Sequence, residues 1–138
     1  MRMTKILWLA VPMIFLIAVG VALIGAGRKP QPEVKGRIIV LKADPDDPDD
    51  IERAQKEIEE IYQFLESGAE FAKVAETKSE AMSAANQGDM GWIGKGVLPE
   101  RLENALFSLE PGHYSEVITE FTPTAVTFRI LYVEERRN

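Results

Sequence analysis

The 138-residue chain has no cysteine and a single histidine, His113. Without cysteine it has no disulfide framework, no thiolate nucleophile and no zinc site built on thiolates. A single histidine also excludes a clustered histidine metal site, and a Ser-His-Asp triad could be assembled only around that residue. These absences disfavour most hydrolase and metalloenzyme classes, and we expect neither a metal nor a cofactor.

Positive charge is scarce as well. The chain has 16 Lys and Arg against 22 Asp and Glu, a formal net charge of −6. Two of the basic residues, Arg2 and Lys5, precede a long apolar run, which leaves 14 basic and 22 acidic side chains, a charge of −8, on residues 28–138. Such an acidic segment repels a phosphate backbone, so nucleic acid is not an expected partner.

Residues 6–27 form an apolar run of 22 residues without a charge. As a helix this run would be about 33 Å long, which matches the hydrocarbon core of a bilayer. We predict an uncleaved, single-pass transmembrane anchor over residues 1–27. The competing interpretation is a cleavable signal peptide, because the small residues 25–27 directly before Arg28 resemble a processing site. Proline-spaced residues 28–35 are predicted to be a linker to a folded domain.

The folded part begins with a short strand and a strongly marked helix. Residues 37–41 are rich in β-branched side chains, which predicts a strand buried on both faces. Asp47 can cap a helix that has Pro48 at its first position. From there apolar residues recur at intervals of three and four, until Gly68 ends the pattern.

The remaining segments predict two further helices and three further strands. In chain order we expect a short helix at 69–77, a loop or a loop with one helical turn at 79–87, a strand at 90–93, a helix starting at Pro99, and strands at 117–120 and 125–134. This order of elements predicts an α+β domain with a small sheet.

Three motifs occur in order along this part of the chain. Residues 64–75 resemble the pattern L-x-x-G-x-x-F-x-x-L-A, and residues 79–92 resemble S-x-x-x-S-A followed by G-G-D-L-G-W. Residues 98–115 resemble V-P-E-F-x-x-A-x-F-x-L-x-x-G-x-x-S. In series, these motifs resemble the parvulin-type, PpiC-like rotamase family of peptidyl-prolyl cis/trans isomerases, over residues 36–135. The resemblance implies a four-stranded antiparallel sheet wrapped by about four helices, with an apolar cleft for a proline ring.

The resemblance also locates the family's site residues in this sequence, and several are substituted. The two histidines that the family carries on its first and last strands correspond to Ile38 and Arg129, and a third polar position corresponds to Ala81. Arg129 fits either a surface salt bridge or a cleft position in contact with a bound peptide carbonyl. The apolar pocket corresponds to Leu98 and Leu102, and Phe107 is a further candidate for it; core packing explains the same three residues.

These features together suggest a membrane-anchored foldase. We expect it to bind unfolded or proline-containing client segments, with its domain in an extracytoplasmic space and with isomerase activity weak or lost. The alternative is a non-catalytic peptide-binding chaperone or assembly module. A phosphorylated ligand is not expected, because residues 44–50 carry five Asp where a phosphate-reading branch of the family has Lys and Arg.

Overall fold

A computed structural model of the protein describes residues 29–138. The predicted membrane span, residues 6–27, lies outside the described residues. From residue 29 onward, no helix has both the length and the apolar character that crossing a membrane requires.

The described residues form four strands, three α-helices and one 3-10 helix. The strands are β1 (Glu33–Ala43), β2 (Asp89–Gly94), β3 (Ile118–Phe121) and β4 (Val126–Arg137). The α-helices are α1 (Pro48–Glu66), α2 (Phe71–Lys78) and α3 (Glu100–Ser108), and the 3-10 helix covers Met82–Asn86.

The four strands form one antiparallel sheet in the order β2-β1-β4-β3. The long central strands β1 and β4 pair from Glu33↔Arg137 to Ala43↔Val126. This arrangement confirms the α+β class and the four-stranded antiparallel sheet. Instead of about four helices, residues 29–138 contain three α-helices, and the fourth helical segment is the short 3-10 helix in the loop that the sequence predicted.

The first strand is longer than predicted because it begins at Glu33 rather than at residue 37. Its first part pairs with β2 on one side and with β4 on the other, across a bulge next to Gly36. Lys35 and Arg37 both lie near Glu134 on β4, with nitrogen-to-carboxylate distances of 3.7 and 3.2 Å. Cross-strand pairing therefore extends the strand into a charged stretch that has no apolar pattern of its own.

The ends of α1 follow the chemistry that the sequence predicted. The side chain of Asp47 accepts hydrogen bonds from the backbone N–H groups of Asp49 and Asp50, at 3.0 and 3.3 Å. At the other end, Gly68 adopts φ 101°, and the N–H groups of Gly68 and Ala69 bond back to the last turn in a Schellman motif. Only glycine adopts this backbone conformation without strain.

Helices cover both faces of the sheet and form two apolar clusters. On the side that we call the α1 face, α1 and α2 pack on the sheet through buried residues that include Ile39, Leu41, Ile58, Phe71, Phe128 and Ile130. On the opposite side, the α3 face, the buried residues are Val34, Ile93, Leu102, Leu106, Ile118, Leu131 and Val133. Alternate residues of the central strands β1 and β4 supply the two clusters, as the pleat of a sheet requires.

Candidate functional site

Ile38 and Arg129, which the sequence motifs align with the family's two histidines, lie on the same face of the two central strands. Ile38 pairs with Leu131, and Arg129 pairs with Val40. Because directly opposed residues share a face, and so do residues two apart on one strand, all four side chains lie on the α3 face. The sheet thus brings both substituted positions together, as the motif alignment implied.

The third position, Ala81, reaches this region through a loop that follows α2. Val40 donates its N–H to the Ser79 hydroxyl at 3.0 Å and accepts the N–H of Glu80 at 2.7 Å. These bonds hold the loop against the part of β1 that extends beyond β2. Ala81 directly follows Ser79 and Glu80, the two residues bonded to Val40. Val40 is paired with Arg129 and lies two positions after Ile38 on β1, so Ala81 lies in the same region as both.

Gly88 fixes the other end of this loop on β1. Its carbonyl accepts the N–H of Ile38 at 2.9 Å, and the glycine has φ 73°. A Cβ atom at this position would lie 2.5 Å from the carbonyl oxygen of Ile38 and 3.0 Å from the Cβ of Ala75. The close approach of two backbones therefore requires glycine, and it places the loop beside Ile38.

The three predicted binding residues all belong to the apolar cluster on the α3 face. Leu102 is buried within it, and Leu98 and Phe107 are half-buried and pack against it together with Ile38. The Lys95 ammonium lies 4.1 Å from the centre of the Phe107 ring. These side chains thus contribute to the core, and their half-exposed members give this face an apolar surface.

Arg129 forms an ion pair with Glu120 of β3. Its side chain is only 19% exposed, so the paired carboxylate offsets the cost of removing the guanidinium charge from water. Beside this pair, the buried hydroxyl of Thr127 makes no hydrogen bond within residues 29–138. The site therefore offers guanidinium and hydroxyl groups next to apolar side chains, and it has no imidazole.

Two residues that stabilise this region were not identified from the sequence. Glu120 lies opposite Thr127 and diagonal to Arg129, and only the register of the β3–β4 hairpin reveals that proximity. Ser115 is buried, and its hydroxyl accepts the N–H of Leu131 at 3.0 Å. Ser115 is the last residue of the third sequence motif, and that position in the motif could have indicated its structural role.

Nearby, the segment before β3 is attached to α1 by two tyrosines. The rings of Tyr62 and Tyr114 meet edge to face with centres 5.8 Å apart, and Tyr114 donates its hydroxyl to Glu66 at 2.8 Å. Burial, followed by a hydrogen bond to Glu116, raises the pKa of Tyr62 to about 12. Burial and the Glu66 carboxylate likewise raise the pKa of Tyr114. The raised pKa values favour the neutral phenols, and Tyr114 acts as a donor to Glu66.

The protein-family model described as Rotamase, PPIC-type PPIASE domain, matches residues 39–135. The chain belongs to this rotamase family. The rotamase domain is 38% identical over 77 residues to the periplasmic chaperone PpiD of Haemophilus influenzae, an alignment that covers 55% of this chain and 12% of PpiD. It is 32% identical over 103 residues to the chaperone SurA of Hydrogenovibrio crunogenus, with coverage of 75% and 22%. The chain thus spans less than a quarter of the length of either relative.

Solved structures of similar domains agree with the fold. A crystal structure of a PpiC-type peptidyl-prolyl cis-trans isomerase domain superposes with a TM-score of 0.64 at 30% identity, covering 78% of this chain and 93% of that one. The parvulin domain of PpiD from E. coli gives a TM-score of 0.57 at 29% identity, with coverage of 78% and 92%. The rotamase domain of this chain therefore matches nearly complete single domains of the family.

Proposed function

We propose that the protein is a membrane-anchored rotamase domain that binds unfolded or proline-containing segments of client proteins, with weak or lost isomerase activity. Residues 1–27 supply the anchor and residues 28–32 the tether, and the binding domain begins at Glu33, where β1 starts, rather than at residue 36. The uncharged apolar run of 22 residues supports the anchor. The relatives SurA and PpiD are both named chaperones, which supports unfolded polypeptides as clients. PpiD is also named a periplasmic protein, which supports an extracytoplasmic location.

The proposal of weak or lost activity rests on two side chains of the α3 face, Ile38 and Arg129. Isomerisation breaks no bond, but the peptide C–N bond must rotate over a barrier of about 18–20 kcal/mol. A site lowers this barrier by holding the proline ring and stabilising the twisted amide more than either planar form. Here Ile38 offers no polar group, and the ion pair with Glu120 occupies part of the Arg129 guanidinium, so few polar groups remain to stabilise the twisted amide selectively.

Binding requires less than catalysis does. A proline ring needs an apolar surface, which the half-buried Leu98 and Phe107 provide beside Leu102. Donor groups on Arg129 that do not face Glu120 can bind a client carbonyl. We therefore place client binding on the α3 face and expect it to persist when isomerisation does not.

A binding experiment with a matched pair of variants tests this assignment. Full-length protein in lipid-bilayer discs is titrated into a fluorescent Xaa-Pro peptide. Leu98→Asp should weaken binding about tenfold or more, since burying one such side chain contributes about 1.5–3 kcal/mol. Val97→Asp is the control. Val97 is next to Leu98 in the sequence, but its side chain is 67% exposed and belongs to neither apolar cluster. Equal affinities for the two variants would remove the α3 face from the proposal.

A further inference from the structure

A separate groove lies on the opposite side of the sheet from the proposed client site. It has a volume of about 320 Å³ between α1 and the β3 edge. Its lining includes Ile51, Ile58, Glu59, Val117, Phe121 and Phe128. Most of these side chains are apolar, so the groove can accept apolar side chains of a partner.

One wall of this groove is β3, which is an edge strand of the sheet. The N–H of Thr122 bonds to the carbonyl of Ala125 at 3.0 Å and closes the β3–β4 hairpin. Because hydrogen-bonded pairs alternate along an antiparallel ladder, Thr119 and Phe121 direct their backbone groups away from β4. The carbonyl of Thr119 accepts the Arg101 guanidinium at 2.9 Å, which confirms that it points outward.

The side chain of Phe121 is 72% exposed, the largest apolar exposure on any strand of the described chain. It lies beside the outward backbone groups and projects on the groove side, as does Thr119. An added strand along β3 would pair with the free backbone groups and direct every second side chain into the groove. An extended polypeptide therefore matches the shape of this edge.

The charge of α1, which forms the other wall, indicates what kind of polypeptide the groove can bind. Helix α1 carries seven acidic and only two basic side chains. Glu59 lines the groove and forms no ion pair among the described residues, with only a 3.3 Å hydrogen bond from Gln55. The Glu59 carboxylate next to an apolar groove, on a helix with net negative charge, favours Lys and Arg at the ends of an apolar segment.

We propose that the β3 edge and this groove dock an extended, apolar polypeptide segment flanked by Lys or Arg, independently of proline. This docking site goes beyond the proposed binding of proline on the α3 face. A client that lies along β3 contacts the groove with half of its side chains and passes beside the Arg129–Glu120 pair with the other half. The Arg101 contact with Thr119 is displaced when the client strand pairs.

The test uses full-length protein in bilayer discs of zwitterionic lipid and a proline-free peptide that alternates valine and threonine between terminal lysines. Binding is followed by fluorescence anisotropy. Phe121→Asp should weaken binding by at least about tenfold, since it removes an aromatic contact and adds a charge. Phe64→Asp should leave the affinity unchanged, because Phe64 is another exposed aromatic, at 59%, that does not line the groove.

A charge exchange tests the choice of partner. Glu59→Lys should weaken binding of the lysine-flanked peptide and strengthen binding of the same peptide flanked by glutamate, whereas Glu60→Lys should have a smaller effect on both. Leu98→Asp should not affect this proline-free peptide, so failure of the α3-face site and failure of the β3 edge remain distinguishable. Equal binding of the lysine- and glutamate-flanked peptides to the native protein, or equal affinities of the Phe121 and Phe64 variants, would overturn the proposal.

Discussion

Replacing Gly88 by alanine tests how the loop after α2 is held against β1. The new Cβ would lie 2.5 Å from the carbonyl oxygen of Ile38, which is closer than non-bonded atoms approach. The backbone also has φ 73°, a left-handed conformation that costs a residue with a Cβ about 1–2 kcal/mol. The loop must therefore move away from the strand.

The size of the effect follows from what that movement breaks. The N–H of Ile38 loses its 2.9 Å bond to the Gly88 carbonyl, and a buried donor left unpaired costs about 1–3 kcal/mol. Added to the conformational cost, the expected loss in the free energy of unfolding is about 2–5 kcal/mol. Client binding should weaken as well, since the displaced loop carries Ala81.

Gly91→Ala provides the matched control for this experiment. Gly91 has φ 69°, but a Cβ there meets nothing within 4 Å, so only the conformational cost of about 1–2 kcal/mol applies. The assay is pulse proteolysis of the full-length chain in bilayer discs across a urea series. If the two variants lost the same stability, the close contact between Gly88 and Ile38 would not hold this loop in place.

Three further changes should alter the urea midpoint or its pH dependence in the same assay. Asp47→Ala should cost about 1 kcal/mol, because it removes the side-chain acceptor at the start of α1. Ser115→Ala should cost about 1–3 kcal/mol by removing the acceptor of the buried Leu131 N–H, whereas Ser108→Ala, at an exposed hydroxyl, should change little. The protonated Tyr62 contributes stability that is fully present below pH 10.0 and is lost as the pH rises to about 12, because the unfolded phenol ionises first; Tyr62→Phe should remove this component.

Features set by local chemistry could be predicted from the sequence. The start of α1 depends on Asp47 and Pro48, and its end depends on Gly68, all within one turn of the helix. The burial stripes of α1 and α3 follow helical periodicity, so Ile58 and Leu106 are identifiable as core residues. The order of strands and helices followed from the same local patterns.

Features that depend on contacts between distant segments could not be predicted from the sequence. The early start of β1 depends on pairing with β2 and β4, because its charged residues form no apolar pattern. The ion pair of Arg129 with Glu120 depends on the hairpin register, and the sequence left a salt bridge and a cleft position as open alternatives. In the structure Arg129 forms a salt bridge with Glu120 on the face where client binding is proposed, and its contact with a peptide carbonyl stays a prediction.

Nuclear magnetic resonance exchange spectroscopy on an Xaa-Pro peptide tests the central claim most directly, since it reports binding and isomerisation together. With full-length protein in bilayer discs, we expect saturable shifts of the proline resonances, while cis/trans exchange stays near the uncatalysed timescale of tens to hundreds of seconds. Rapid exchange at substoichiometric protein would show that Ile38 and Arg129 support full catalysis, and unshifted proline resonances at saturating protein would show that the α3 face binds no proline. Either result would contradict the account.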